Sequence, residues 1–373
     1  MGTKNKVWLE KCRLGNYKSV IDLESSFRPG LNILIGKNGV GKTNFLRFLG
    51  NALDWESHYF SFEFCDLEFA FSGEKGERYV RKADDDSLSG WEAGKVEDPG
   101  GKVEIRFVPQ RYQEVLPGLT NSLDFETSNS SEAFNLLRRR ELPWFIKKLL
   151  GELILEVSTR ANGGEGAEEI KIFIRDSVAE WTARLDLVSD YSPISEVRLS
   201  DELRVLEGKF VNSFKVAGLI LEFKVGDRWF DFRDLSDGTQ RIFLMMAELE
   251  LAGSALVRKR PSDDLPAEVP ETIFLIEEPE LGVHPHQLHK IMEYLKERSQ
   301  YSQLIISTHS PLVLNFLDLD ELDRLVLCSV SAETGTQLRH LSEQEIKDAL
   351  LYMGEQELFL SDYWVHSNLE PEF

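Results

Sequence analysis

Hydrophobic positions recur in two rhythms along this chain. Near the amino end Val7-Trp8-Leu9 and Leu23–Phe27 read as strands, and Leu31-Asn32-Ile33-Leu34-Ile35 is almost continuously apolar, which predicts a buried strand. It runs directly into a glycine-rich turn and then a helix over Thr43–Leu53. From Phe60 to Val80 two alternating runs flank Ser72-Gly73-Glu74-Lys75-Gly76, the pattern of an antiparallel hairpin, and Val103–Val108 returns as a strand after the polar residues 83–101.

The rhythm changes beyond Tyr112. Helical spacing runs over Phe134–Leu155, breaks at Asn162-Gly163-Gly164 and resumes over Ile170–Leu187. Phe214–Phe223 and Trp229–Phe232 then read as strands leading back to the core. The last third alternates: helix Gln240–Leu251, strand Thr272–Ile276, helix His286–Ser299, strand Leu304–Ser307. Such alternation predicts an α/β fold with a mostly parallel sheet flanked by helices. The expected organisation is an amino-terminal lobe over residues 1–112, an inserted, mainly helical subdomain over 113–229, and a carboxy-terminal lobe with its tail over 230–373. No heptad pattern is sustained long enough for a coiled-coil arm.

Composition narrows the function. With 373 residues, 42% of them hydrophobic, the chain can bury a large core. The 64 acids outnumber the 43 bases for a net charge of −21, which opposes indiscriminate attraction to DNA or RNA. Any such contact is confined to local patches, Arg138-Arg139-Arg140 with Lys147-Lys148 or Arg258-Lys259-Arg260, which read more readily as solvated helix faces. No apolar run reaches the roughly 18 to 20 residues that span a bilayer. Three scattered cysteines, Cys12, Cys65 and Cys328, suit a reducing, cytoplasmic setting, and the Met1-Gly2 start carries Lys6 where a myristoylation motif needs a hydroxyl.

Four segments carry candidate chemistry. Gly36-Lys37-Asn38-Gly39-Val40-Gly41-Lys42-Thr43, followed by Asn44, matches G-x-x-x-x-G-K-[ST] between a buried strand and a helix. Its glycines let backbone N–H groups curl around phosphate oxygens, so Lys42 is expected at the β- and γ-phosphates of ATP and the Thr43 hydroxyl on Mg²⁺. Ile273–Ile276 ends in Glu277-Glu278-Pro279, where Glu277 is expected to hold magnesium and Glu278 to polarise the attacking water. Leu235-Ser236-Asp237-Gly238-Thr239-Gln240 opens a helix that Ser236 can cap, with Gly238 leaving the backbone uncovered. Ser307-Thr308-His309-Ser310-Pro311 comes directly after the last apolar strand. His284, His286 and His289 read as a loop-to-helix turn around Pro285 rather than a zinc site.

In this order the segments resemble those of ABC ATPases of the RecF and SMC type, and more closely the overcoming-lysogenization-defect (OLD) family. Leu14-Gly15-Asn16-Tyr17-Lys18-Ser19 is similar to that group's amino-terminal segment, Leu235–Gln240 to the L-S-x-G-x-Q signature, and Glu277-Glu278-Pro279-Glu280 replaces the Asp-Glu-Pro of transporters. The resemblance covers residues 7–112 and 230–315. It implies an ABC-type head, a P-loop NTPase with a mixed sheet, an antiparallel β lobe and an inserted helical subdomain. It also implies a homodimer or larger assembly in which Ser236 and Gly238 of one subunit cover ATP held by Asn38–Asn44 of the other. His309 would sense the γ-phosphate, and Gln110 would link metal and water to the insert, although Gln113 lies nearby. Asn16 or Lys18 would lie near the nucleotide.

Two departures qualify that picture. His284 stands where many relatives carry the aspartate of the D-loop, and no Toprim nuclease is expected in the short stretch after His309, where Asp318, Asp320, Glu321 and Asp323 read as a solvated face. The resemblance therefore implies a stand-alone ATPase that controls a separate nuclease or toxin in antiphage defence. The alternatives are a RecF-like DNA clamp and a slowly hydrolysing assembly scaffold.

Overall fold

The computed structural model describes residues 7–52, 62–72, 77–82, 103–109, 124–127, 143–208, 210–251, 271–356 and 359–367. Gln110, Gln113, Arg138–Arg140 and Arg258–Arg260 lie outside the described residues. Contacts divide the chain into two units, residues 1–110 with 268–373, and 111–267.

The first unit is built on one ten-stranded sheet. Its strands are β1 (Val7–Tyr17), β2 (Val20–Ser26), β3 (Leu31–Ile35), β4 (Phe64–Phe71), β5 (Glu77–Lys82), β6 (Val103–Val108), β13 (Glu271–Glu277), β14 (Leu304–Thr308), β15 (Leu325–Ser331) and β16 (Gly335–His340), in the order β5-β4-β1-β2-β16-β15-β3-β14-β13-β6. Five neighbours, β15, β3, β14, β13 and β6, run parallel. The other pairings are antiparallel, so the amino-terminal hairpins continue the parallel sheet rather than forming a sheet of their own. All five residues of β3 are buried, as a central parallel strand requires.

Helix α1 (Lys42–Ala52) buries Phe45, Leu46, Phe48, Leu49 and Ala52, the stripe of an amphipathic helix, in a core with Phe27, Leu34, Leu275 and Ile305. Gly50 lets it come close to β6, because a Cβ there would lie 2.8 Å from that of Phe107. A second helix of this unit, which comes after β13 and spans Pro285–Arg298, is capped by His284, whose Nδ1 accepts from the His286 N–H at 3.3 Å, with Pro285 in its first turn. His289 faces Glu293 at 3.3 Å. The acidic segment after β14 is a 3₁₀ turn, Leu319–Arg324, tied to the β2–β3 connection by Asp323 on Arg28 and, through its cap Asp318, to Lys296 of the preceding helix. The final residues place β15 and β16 inside the sheet and end in two helices, Glu343–Gln356 and Leu360–His366.

The second unit holds helices α2 (Trp144–Asn162), α3 (Ala167–Ala183), α4 (Val188–Tyr191) and α5 (Asp237–Leu251). It also holds strands β7 (Phe125–Glu126), β8 (Ile194–Leu199), β9 (Arg204–Glu207), β10 (Phe214–Ala217), β11 (Leu221–Val225) and β12 (Arg228–Asp231). The expectation of strands returning to the core is corrected here: they form two small sheets, β7-β10-β9 and β12-β11-β8, and none joins the large sheet. Gly218, at φ +75°, breaks the expected run Phe214–Phe223 into two strands. Helix α5 packs within this unit. Phe243 meets Phe145, Phe223 and Phe232, and the Trp144 N–H donates to Glu248 at 2.9 Å. The contact boundary therefore falls after α5, whereas the sequence pattern set it at 229/230.

Candidate functional site

Register in the parallel strands assembles the site. Ile35 of β3 lies opposite Thr308 of β14, and Ser307 opposite Glu277 of β13, so three strands end level with one another. The loop from Gly36, the pair Glu277-Glu278 and His309, which lie at or just beyond those strand ends, therefore collect at one edge. Ligands of open α/β sheets bind at this carboxyl edge.

The loop is shaped by its glycines. A Cβ on Gly36 would strike the Cys328 carbonyl oxygen, and Gly41, at φ +102°, would drive one into Thr336 and Ser19. Gly39, at φ +85°, meets nothing within 4 Å. Lys37, Asn38 and Gly39 are exposed while Val40 packs inward, its carbonyl accepting from Thr336 Oγ1 at 3.0 Å. Buried Lys42 folds beneath the loop, and its Nζ donates to the carbonyls of Gly36 at 2.5 Å and Lys37 at 2.9 Å. The ammonium of Lys42 thus sits against the loop at the start of α1, and a glycine-rich turn at a helix amino terminus is a setting suited to anions.

A brace the sequence reading missed holds this cradle from behind. Asn44 Nδ2 donates to Ser19 Oγ at 2.9 Å, and that hydroxyl pairs with Thr336 Oγ1 at 2.8 Å. The Asn44 amide is therefore engaged with protein. Ser19 closes the amino-terminal segment Leu14–Ser19, but nothing local marks Thr336. Asn16 and Lys18 flank the turn at φ +52° each, Asn16 bonded to Glu63 and Lys18 over the Tyr17 ring at 5.2 Å. Burial pushes the Cys328 thiol beside the loop up to about 12, so it stays protonated.

The acidic side of the edge is equally ordered. Thr43 Oγ1 donates to Glu277 Oε1, and Glu277 is 3% exposed. Among the described residues no group of three His, Cys, Asp or Glu side chains could hold a metal by itself. Magnesium needs less, since it prefers hard oxygens and takes one or two from protein beside phosphate and water. The hydroxyl and carboxylate of Thr43 and Glu277 fit that role. Glu278 sits in the left-handed region at φ +44°, unusual for this residue, with its N–H held by the Ser307 carbonyl at 2.8 Å. Its Oε1 lies 3.1 Å from His309 Nδ1, and the same nitrogen lies 3.6 Å from Glu280 Oε1. Burial pushes the Glu280 carboxyl above the usual carboxylate range, against the Thr308 hydroxyl bond, which lowers it.

The signature segment lies in the other unit. Ser236 Oγ accepts from the Thr239 N–H at 3.3 Å and meets Thr239 Oγ1 at 2.9 Å, capping α5. Gln240 Nε2 donates to the Phe232 and Leu235 carbonyls, each at 2.9 Å, and so pins the approach to the helix. Ser236 and Asp237 are exposed and Gly238 is half-buried.

A family model described as "AAA domain, putative AbiEii toxin, Type IV TA system" matches residues 31–315, from β3 to just beyond His309. The chain belongs to that family. Shorter stretches resemble curated relatives. One is 33% identical over 63 residues to the DNA replication and repair protein RecF of Arthrobacter sp. (strain FB24), covering 17% of this chain and 16% of that protein. Another is 42% identical over 40 residues to RecF of Streptococcus uberis, covering 11% of each. The chain thus matches less than a fifth of the length of either relative. Among solved structures, it is similar to an SMC head bound to the C-winged helix domain of ScpA, with a TM-score of 0.48, 14% identity, and coverage of 91% of this chain and 99% of that one. The SMC head domain from Thermotoga maritima gives a TM-score of 0.40 at 14% identity, covering 90% and 99%.

Proposed function

We propose that the chain binds ATP with Mg²⁺, pairs with a second copy around it, and hydrolyses it to ADP and phosphate. The observation that carries this reading is the register of β3, β14 and β13, which sets Lys42, Thr43, Glu277, Glu278 and His309 on one sheet edge.

Each side chain has a task in this scheme. Backbone N–H groups of Asn38–Thr43 bind phosphate oxygens, and Lys42 leaves its two carbonyl partners to neutralise the β- and γ-phosphates. Thr43 and Glu277 would hold magnesium, which when bound would supply positive charge for the developing charge on phosphate. Glu278 orients the attacking water and takes its proton, and His309 lies beside it at the γ-phosphate. Ser236 and Gly238 of the second copy offer an exposed, capped helix start to the same phosphate. Gln110 is proposed as a further contact to metal and water.

Hydrolysis then acts as a switch on a separate effector, a nuclease or toxin in antiphage defence. The excess of acids supports a protein partner over a nucleic acid. Phage protection that survives Lys42→Ala, or the absence of any effector co-purifying with the chain, would count against it. The short RecF similarities support a second reading, an ATP-dependent DNA clamp. Duplex DNA affinity that falls steeply with salt would favour that reading.

A further inference from the structure

Glu280 has no task in the scheme above, yet its setting is unusual. Its side chain is 8% exposed, in a segment that already carries Glu277 and Glu278. Burying a third carboxylate there is costly unless something answers its charge. Its Oε1 accepts from Thr308 Oγ1 at 2.5 Å, while its buried Oε2 has no hydrogen-bonding partner among the described residues. Thr308 is fixed in turn, because its Oγ1 accepts from the Ser310 N–H at 2.9 Å. The carboxylate is thus anchored to β14, one residue before His309.

The His309 ring is a further neighbour. Nδ1 stands 3.1 Å from Glu278 Oε1 and 3.6 Å from Glu280 Oε1, so one N–H faces two carboxylates and can serve one fully at a time. Glu278 is held through its backbone at φ +44°, and Glu280 through Thr308. Of the three side chains that of His309 is the most exposed, at 38% against 11% for Glu278 and 8% for Glu280.

We propose that Glu280 is a positioning residue, a second seat for the Nδ1–H of His309. With the bond on Glu278, that carboxylate is occupied by the ring. With the bond moved to Glu280, Glu278 Oε1 gives up its bond to the ring and can accept from water while Nδ1 keeps its hydrogen. Exchange of one hydrogen bond between two carboxylates thereby unmasks the base without loosening the ring. This rests on the proposed role of Glu278 in hydrolysis, but the presence of two seats is a property of the protein without nucleotide.

The experiment uses the full chain with ¹⁵N-labelled histidine, the His309 signals being identified by their loss in His309→Ala. Imidazole nitrogen shifts report which nitrogen carries hydrogen. Either Glu278→Ala or Glu280→Ala alone should keep the Nδ1–H form, and only the double variant should lose it. Glu280→Gln combined with Glu278→Ala should keep it, since an amide oxygen still accepts. Loss of the Nδ1–H form in Glu278→Ala alone overturns the second seat, as does its survival in the double variant. In parallel, Glu280→Ala should lower kcat about tenfold or more at nearly unchanged KM for ATP, the effect of a misplaced but intact group. An unchanged kcat overturns the unmasking step. If the wild-type chain released no phosphate from ATP, the proposed function would fail while the nitrogen shifts still decided the two seats.

Discussion

The Thr43 hydroxyl donates its hydrogen bond to the Glu277 carboxylate across 234 positions of sequence, joining the first turn of α1 to the end of β13. β14 lies between β3 and β13, so the bond spans the gap where three strands stop together. In the proposed ATPase this oxygen pair receives magnesium. Thr43→Val removes one ligand at little change in volume, so ATP affinity should fall about tenfold with Mg²⁺ and much less in EDTA. Titration calorimetry under both conditions checks this, and equal losses would detach Thr43 from the metal.

Glu278 should matter to turnover and not to binding. Glu278→Gln keeps the shape of the side chain but not its basicity, and phosphate release should fall about 10²- to 10⁴-fold with ATP affinity preserved. A variant that hydrolyses normally would move the base elsewhere.

The two left-handed glycines of the loop should respond differently to a methyl group. Gly39→Ala meets open space and pays backbone strain alone, about 1–2 kcal/mol. Gly41→Ala adds a collision with Thr336 and Ser19, which brace the cradle. Thermal unfolding should therefore show the larger loss for Gly41→Ala, and equal losses would mean that the brace yields freely.

Arg339 grips Glu345 with two bonds of 2.9 Å and, with Ser342, holds that carboxyl down to about 2 from 4.5. A lowered folded value means that the contribution is complete above the unfolded value and fades as pH falls from 4.5 through about 2. The gap in unfolding midpoint between wild type and Glu345→Gln should narrow over that window. A gap independent of pH would show that the pair acts by packing alone.

Much of this was legible locally. The run Leu31–Ile35, the glycines after it and the stripe Phe45–Leu49 each announce their structure, because buried strand, phosphate cradle and amphipathic helix have local signatures. The apolar end of β13 likewise announced Glu277 and Glu278. The hidden part depends on pairing between distant segments. β15 and β16 enter the sheet between β3 and β2, a position no local pattern encodes, and they bring Thr336 to the loop. Strands β8 and β9 are short, and residues such as Ser195 and Glu196 blunt their alternation. Glu280 looked like the last letter of a motif, and its burial emerges only when β14 brings Thr308 beside it. Helix α5 opens with a motif that reads as the start of a lobe, while its apolar residues on every side mark a helix that is buried all round.

The central claim is that two copies complete one another's sites, and mixing two inactive variants tests it most directly. Lys42→Ala lacks the phosphate contact and Ser236→Arg blocks the signature, so each alone should release almost no phosphate from ATP. Mixed and allowed to exchange subunits, they should recover about a quarter of the wild-type rate, because half of the dimers would carry one intact site of two. No recovery on mixing, with exchange confirmed by mass, or full activity of Ser236→Arg alone, would contradict the account.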